Sequence, residues 1–384
     1  MSHVLVAPDK FKGSLSAPEV AAHVAAGLRR AQPSIDVREV PVADGGDGTL
    51  DAALAAGFTR VAVTASGPTG EPVATAYARR GDTAVVELAD VSGLSRLPGG
   101  RLAPLVATSY GTGEVIRAAL DDGCRTIVLG LGGSACTDGG AGLAQALGVR
   151  LLDADGRDLP PGGAALAELA TVDVSDLHPA VAGADVVVAS DVDNPLLGEH
   201  GAAAVYGPQK GADAEQVAQL DAALARWNEV LARDAGVDAA TATLPGAGAA
   251  GGVGFAALAV LGATLRPGIE YLLDLVGFHQ HLAGASLVVT GEGSLDEQTL
   301  RGKAPAGVAA AAREAGAPVV AIAGQCLLPR EALRAAGFVA AYALIDIEPD
   351  PRRCVAEAGP LLERLAEHRL AAIIDTGTYQ EDRK

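Results

Sequence analysis

Near its start this chain twice runs an apolar strand into a glycine-rich polar turn and then a helix, which commits it to stacked β-α units. Residues 3–7 are the first apolar stretch, Pro8-Asp9-Lys10-Phe11-Lys12-Gly13-Ser14 the turn, and Ser16-Ala17-Pro18-Glu19 a capping box with proline in the first turn of a helix reaching about residue 30. Residues 35–42 repeat the pattern, ending in Ala43-Asp44-Gly45-Gly46-Asp47-Gly48-Thr49 and a helix to about residue 57. Open α/β sheets place ligands at the carboxyl ends of their strands, where both polar turns fall.

From residue 59 the pattern changes to short segments at 59–65, 72–79 and 83–88, separated by Gly-Pro-Thr-Gly and Arg-Arg-Gly-Asp turns, which reads as an antiparallel meander. Mixed structure follows, with strands at 126–130 and 185–190 and helices at 112–121, from 140, and over 213–235. Alternation returns with strands at 286–290, 319–323 and 339–344, helices at 306–315 and 330–336, and a last helix from 352. The expected fold is α/β, with one discontinuous domain made of both termini (1–58 plus 284–384) and a mixed α/β domain inserted at 59–283. Aromatic residues are only 3% of the chain, so the core must be Ala, Val and Leu, which suits helices packed on a parallel sheet.

A formal charge of −18 argues against nucleic acid or an anionic membrane as partner, because both call for a basic surface. Cys124, Cys136, Cys326 and Cys354 lie far apart and read as reduced, buried thiols. With no basic segment leading an apolar one at the start, and no uninterrupted apolar run of about 18 residues, a cytoplasmic location is expected. Homodimer assembly stays open.

Against 24 arginines there are five lysines, and four of them (Lys10, Lys12, Lys210, Lys303) sit in glycine- or turn-rich motifs. That placement points to a compact ammonium beside phosphate oxygens, with glycine N–H groups completing the cradle. The familiar phosphate fingerprints fail: Gly302-Lys303 has Glu297 and Ala304 where a P-loop needs glycine and a hydroxyl, and no kinase His-Arg-Asp occurs. Gly246 to Gly251 fits G-x-G-x-x-G but follows no clear strand. What recurs is glycine with a carboxylate, a hydroxyl and sometimes lysine, in six loops at 7–14, 43–49, 130–140, 190–195, 207–211 and 290–296 with Gly302-Lys303. Phosphoryl transfer needs these groups: amides and lysines for the phosphoryl, carboxylates for magnesium, and one carboxylate to orient the attacking hydroxyl.

These loops resemble the bacterial glycerate 2-kinase family. The likeness rests on Ala-Pro-Asp-x-Phe-Lys-Gly-Ser-Leu from Ala7, Ala-Asp-Gly-Gly-x-Gly-Thr at 43–49, Gly-Gly-Ser-Ala at 132–135, Asp-Gly-Gly-Ala-Gly at 138–142, Asp191-Val-x-Asn-Pro-Leu, Tyr206-Gly-Pro-Gln-Lys-Gly211, the glycine run at 245–252, and Thr-Gly-Glu-Gly at 290–293. It implies ATP-dependent phosphorylation of D-glycerate to 2-phosphoglycerate with Mg²⁺. It also implies a Rossmann- or flavodoxin-like domain plus an inserted one, with the active site in the cleft between them. The chain departs from the family pattern at Asp47, Cys136 and Gln325-Cys326.

On this reading Asp191, at a buried strand's end, is the base, and Lys210 meets the transferring phosphoryl group with Lys12 as partner. Asp9, Ser14, Asp44, Gly45, Gly46 and Asn194 are expected at the substrate. Gly132, Gly133, Ser134, Thr137, Asp138, Gly248, Gly251 and Lys303 are expected at the nucleotide, and Glu292 and Asp296 at the metal. A kinase of another small hydroxyacid, a glycerate 3-kinase, an NAD(P)-linked oxidoreductase using Gly246 to Gly251, and a non-catalytic phosphometabolite-binding protein stay open as alternatives.

Overall fold

The structure, a computed structural model, describes residues 2–376. It forms two compact units, one of Met1–Asp44, Asp51–Gly57 and Ile269–Lys384, the other of Gly45–Leu50 and Phe58–Gly268. The return to the terminal unit falls at 269, where the sequence reading placed it at 284. Its reason is the helix Gly268–Leu275, whose Ile269, Leu272 and Leu273 pack with Leu5, Val288 and Val308.

In the terminal unit five parallel strands, His3–Val6, Val37–Glu39, Ala285–Leu295, Val319–Cys326 and Phe338–Ala343, lie in the spatial order second, first, third, fourth, fifth. This is the flavodoxin-like order, and the switch point between its first and third strands is where such sheets bind ligands. The first strand is buried on both faces, so successive side chains feed different cores: Val4 and Val6 meet Val24 and Leu362, while Leu5 meets Leu272 and Val308. The helix Ala17–Ala31 starts at the Ser16–Glu19 capping box and buries Val20, Val24 and Leu28 at four-residue spacing. At Gly27 a Cβ would sit 2.3 Å from Glu363 O, so glycine there lets the helices Ala17–Ala31 and Ala358–Leu365 touch.

The other unit holds a six-stranded sheet in the order Thr264–Arg266, Asp185–Ala189, Thr126–Gly130, Thr83–Glu87, Pro72–Arg80, Thr59–Ser66. The last three are not a free-standing meander. Thr83–Glu87 is antiparallel to Pro72–Arg80 but parallel to Thr126–Gly130, which joins the hairpin to a parallel core. Arg150–Leu152 and Thr171–Asp173 make a separate antiparallel pair. The helix Ala214–Ala235, capped by Asp213 and Gln216, buries Leu220, Leu224, Trp227 and Leu231, with Trp227 edge-on to Phe255 at 6.3 Å. Among the described residues no helix is long and apolar enough to cross a membrane.

Candidate active site

In the inserted unit the strand Thr126–Gly130 opens into the loop 131–140, whose Ser134 and Asp138 side chains bond within its own neighbourhood. Asp138 is 0% exposed and accepts from Ser109 N–H (2.8 Å), Ser109 Oγ (2.9 Å), Thr108 Oγ (3.2 Å), Gly140 N–H (3.1 Å) and Gly142 N–H (3.3 Å). Its carboxylate organises the turn. Lys210 ends the short turn Pro208–Lys210 and is 1% exposed, its ammonium donating to Ser134 Oγ (2.8 Å) and Cys136 O. Burial holds this ammonium's pKa below the usual lysine range, against the pull of the Cys136 and Asp138 charges. Lys210, expected at the transferring phosphoryl group, thus grips the loop in this arrangement. Trp227 donates to Gly139 O at 3.1 Å, and the buried Thr137 hydroxyl has no hydrogen-bond partner among the described residues.

The glycine run has an equally local cause. Residues 250–252 are all left-handed (φ 54, 71 and 91°), and Ala250 is the one non-glycine with positive φ among the described residues. At Gly251 a Cβ would stand 2.1 Å from Cys136 O, and at Gly248 2.2 Å from Pro195 O. These glycines are fixed by close approach of backbones. Before them lies the turn Ala239–Thr243, not a strand, so the dinucleotide-binding context required of G-x-G-x-x-G is absent.

The segment Gly45–Leu50 lies against the carboxyl ends of two strands of the same unit. A Cβ at Gly45 would meet Ala189 O at 2.2 Å, and one at Gly132 would meet the Gly46 Cα at 2.4 Å. Glu87, which the sequence reading missed, is 6% exposed and accepts from Gly48 N–H (3.1 Å) and Leu50 N–H (2.9 Å). Its only signal is one acid closing an apolar strand. Asp191 is exposed after Asp185–Ala189, with Oδ1 accepting from Gly268 N–H at 3.0 Å. Asn194 is held at both ends of its amide, donating to His200 O (2.9 Å) and accepting from Tyr206 OH (2.6 Å).

The terminal unit gathers carboxylates at its switch point. Asp9 follows the first strand and is 7% exposed; burial and then the Asp44 charge push its pKa well above the usual range, with a smaller push from Glu292. Glu292, on the third strand, accepts from Thr299 Oγ (2.6 Å) and lies 3.5 Å from Lys303 Nζ; burial raises its pKa, and the charge of Asp296 adds to that rise. Asp296 in turn accepts from Gln298 N–H at 2.8 Å. Ser14 donates to Val355 O at 2.7 Å, and Lys12 is exposed. The sequence-expected lysines therefore divide, Lys210 in one unit and Lys12 and Lys303 in the other. No group of three or more His, Cys, Asp or Glu that could hold a metal occurs among the described residues.

The model of the glycerate kinase family matches residues 4–374. The glycerate kinase of Halalkalibacterium halodurans is 43% identical over 96% of this chain and 97% of its own length. The glycerate 2-kinase of Escherichia coli K12 is 45% identical over 84% of this chain and 84% of its own. A Salmonella typhimurium LT2 crystal structure assigned as glycerate kinase 2 matches with a TM-score of 0.83 at 43% identity, covering 98% of this chain and 99% of that one. The matched residues 4–374 run through both units, and the chain is a kinase belonging to the glycerate kinase family.

Proposed function

We propose that the enzyme transfers the γ-phosphoryl group of ATP to the 2-hydroxyl of D-glycerate, giving 2-phosphoglycerate, with Mg²⁺ as cofactor. The observation that carries the reading is the gathering of Asp9, Asp44 and Glu292, with Lys303 beside them, at the switch point of a flavodoxin-ordered sheet. Kinship to a relative named for the 2-position supports the regiochemistry.

The residues fit a magnesium–nucleotide complex in kind. Mg²⁺ takes one or two carboxylates together with phosphate oxygens and water, so a cage of three protein ligands is not required. Burial raises the Glu292 pKa, with a smaller push from the Asp296 charge, and a cation bound there would favour the ionised carboxylate. When bound, the metal neutralises charge on the phosphates. Lys303 would add a second positive charge there. In the inserted unit, the loop Gly132 to Thr137 would offer backbone N–H groups to an anion. Asp191, steadied through Gly268 N–H, would accept the proton of the attacking hydroxyl.

The test is ADP release from ATP, Mg²⁺ and D-glycerate with the product identified by ³¹P NMR. A 2-phosphoglycerate resonance is expected. 3-Phosphoglycerate would overturn the regiochemistry, and absence of turnover would overturn the substrate.

A further inference from the structure

The carboxyl edge of the terminal unit's sheet holds a cavity of about 200 Å³. Gly293 and Gly324, on adjacent strands, form one wall; Phe11 and Lys12 of the first turn form another; Val355 closes it from the C-terminal segment. Ser14 Oγ, bonded to Val355 O, ties the first turn to that closing segment. At Gly293 a Cβ would lie 3.2 Å from Lys12 N, so a side chain there would crowd the space.

Size and charge select the ligand. Pockets for drug- and cofactor-sized molecules span about 300–1,000 Å³, so this cavity is small for a nucleotide and ample for a three-carbon acid. Lys12 is the one charged side chain lining it, and it makes no ion pair or hydrogen bond with the described residues. An ammonium with no ion pair among the described residues, on a chain of formal charge −18, is a local focus for one carboxylate. Gln325, on the same wall, donates Nε2 to Ser294 Oγ at 3.2 Å, which leaves its carbonyl oxygen to accept from a hydroxyl.

We propose that this cavity is the acceptor subsite, in which Lys12 binds the carboxylate of a small hydroxyacid and Gln325 accepts from one of its hydroxyl groups. The assignment rests on the kinase reading above and gives Lys12 the acceptor in place of the phosphoryl group. It makes Lys12 the residue that selects an acid over a neutral polyol.

The test uses the full-length enzyme and Lys12→Met, an exposed position whose melting midpoint is checked first. The KM for D-glycerate rises about 10- to 100-fold, the loss expected for one charge-assisted hydrogen bond, while the KM for nucleotide stays within about twofold. Turnover of the neutral analogue D-glyceramide is unchanged, so the preference for the acid collapses. Val355→Trp, which fills the cavity, raises the same KM. A Lys12→Met enzyme whose glycerate KM is unaltered while kcat or the nucleotide KM moves would overturn the subsite and leave the kinase intact. A wild-type enzyme without glycerate turnover would sink the kinase reading separately. Calorimetric binding of D-glycerate to wild type and Lys12→Met then decides the subsite: equal affinity overturns it, and weaker binding to the variant upholds it.

Discussion

Replacing Lys210 separates two roles for a buried ammonium. Lys210→Met keeps most of the side-chain volume but removes the donor to Ser134 Oγ and Cys136 O. Hydrogen bonds from charged groups contribute about 1.5–3 kcal/mol each, and leaving their acceptors buried costs about as much. Against this, methionine escapes the desolvation that depresses the Lys210 pKa. The balance is a loss of about 2–4 kcal/mol. For a cooperative unit of about 200 residues that lowers the melting midpoint by roughly 5–15 °C. Lys210→Ala adds a cavity beside Gly251 and falls further, by about 3–5 kcal/mol in all. Both variants are followed by thermal unfolding and by ADP release at a temperature well below their midpoints. If Lys210→Met melts with the wild type yet loses turnover, the ammonium serves the phosphoryl group and its role as the clamp of the 131–140 loop is refuted.

Three further outcomes follow from the same geometry. Asp138→Asn turns an acceptor surrounded by five donors into a partial donor, and urea unfolding should show a loss of about 3–5 kcal/mol; a loss below about 1 kcal/mol would mean the loop has another anchor. Asp9 has a raised pKa in the folded enzyme, so its contribution favours the fold below the ordinary carboxylate value of 3.8 and is lost as pH rises through the raised folded value. Asp9→Asn should therefore melt higher than wild type at neutral pH without divalent cation, with the gap closing toward pH 4, and a gap that widens on acidification would contradict this. Native alkylation followed by mass spectrometry should label half-exposed Cys326 first, because Cys124, Cys136 and Cys354 are buried and burial pushes all three thiols up; early labelling of Cys136 would show that its loop opens.

Strands with a long apolar run were legible, and those without one were not. Residues 126–130 read as a strand and are one, because five apolar or small residues lie between turn signals. The third strand of the terminal sheet outruns its expected end at 290 and reaches Leu295: Glu292 and Ser294 break the hydrophobic pattern, while their backbones still pair with Ala323 and Gln325. Three-residue strands such as Arg150–Leu152 and Thr264–Arg266 are too short to show a period of two. The antiparallel meander read over 59–88 holds in both of its pairings, but the second, parallel partner of Thr83–Glu87 left no local signal because Thr126–Gly130 lies far along the chain.

At the site, residue type was legible and commitment was not. A lysine between glycines reads the same whether its ammonium meets a phosphate or, as with Lys210, a serine 76 residues away. Glu87 escaped notice for a like reason, since the amides it holds lie 37 and 39 residues off. Asp138 accepts five hydrogen bonds around its own loop, and Asn194 and Lys210 each make two internal hydrogen bonds that hold theirs. Such groups hold geometry, because exchanging an internal partner for a ligand would leave a buried polar atom unpaired. Lys12 makes no such bond to the described residues, and its neighbour Gln325 keeps a carbonyl oxygen in hand. On the proposed assignment substrate is recognised where capacity is left over, with exposed Lys12 selecting the acceptor, while enclosed Lys210 clamps the loop 131–140.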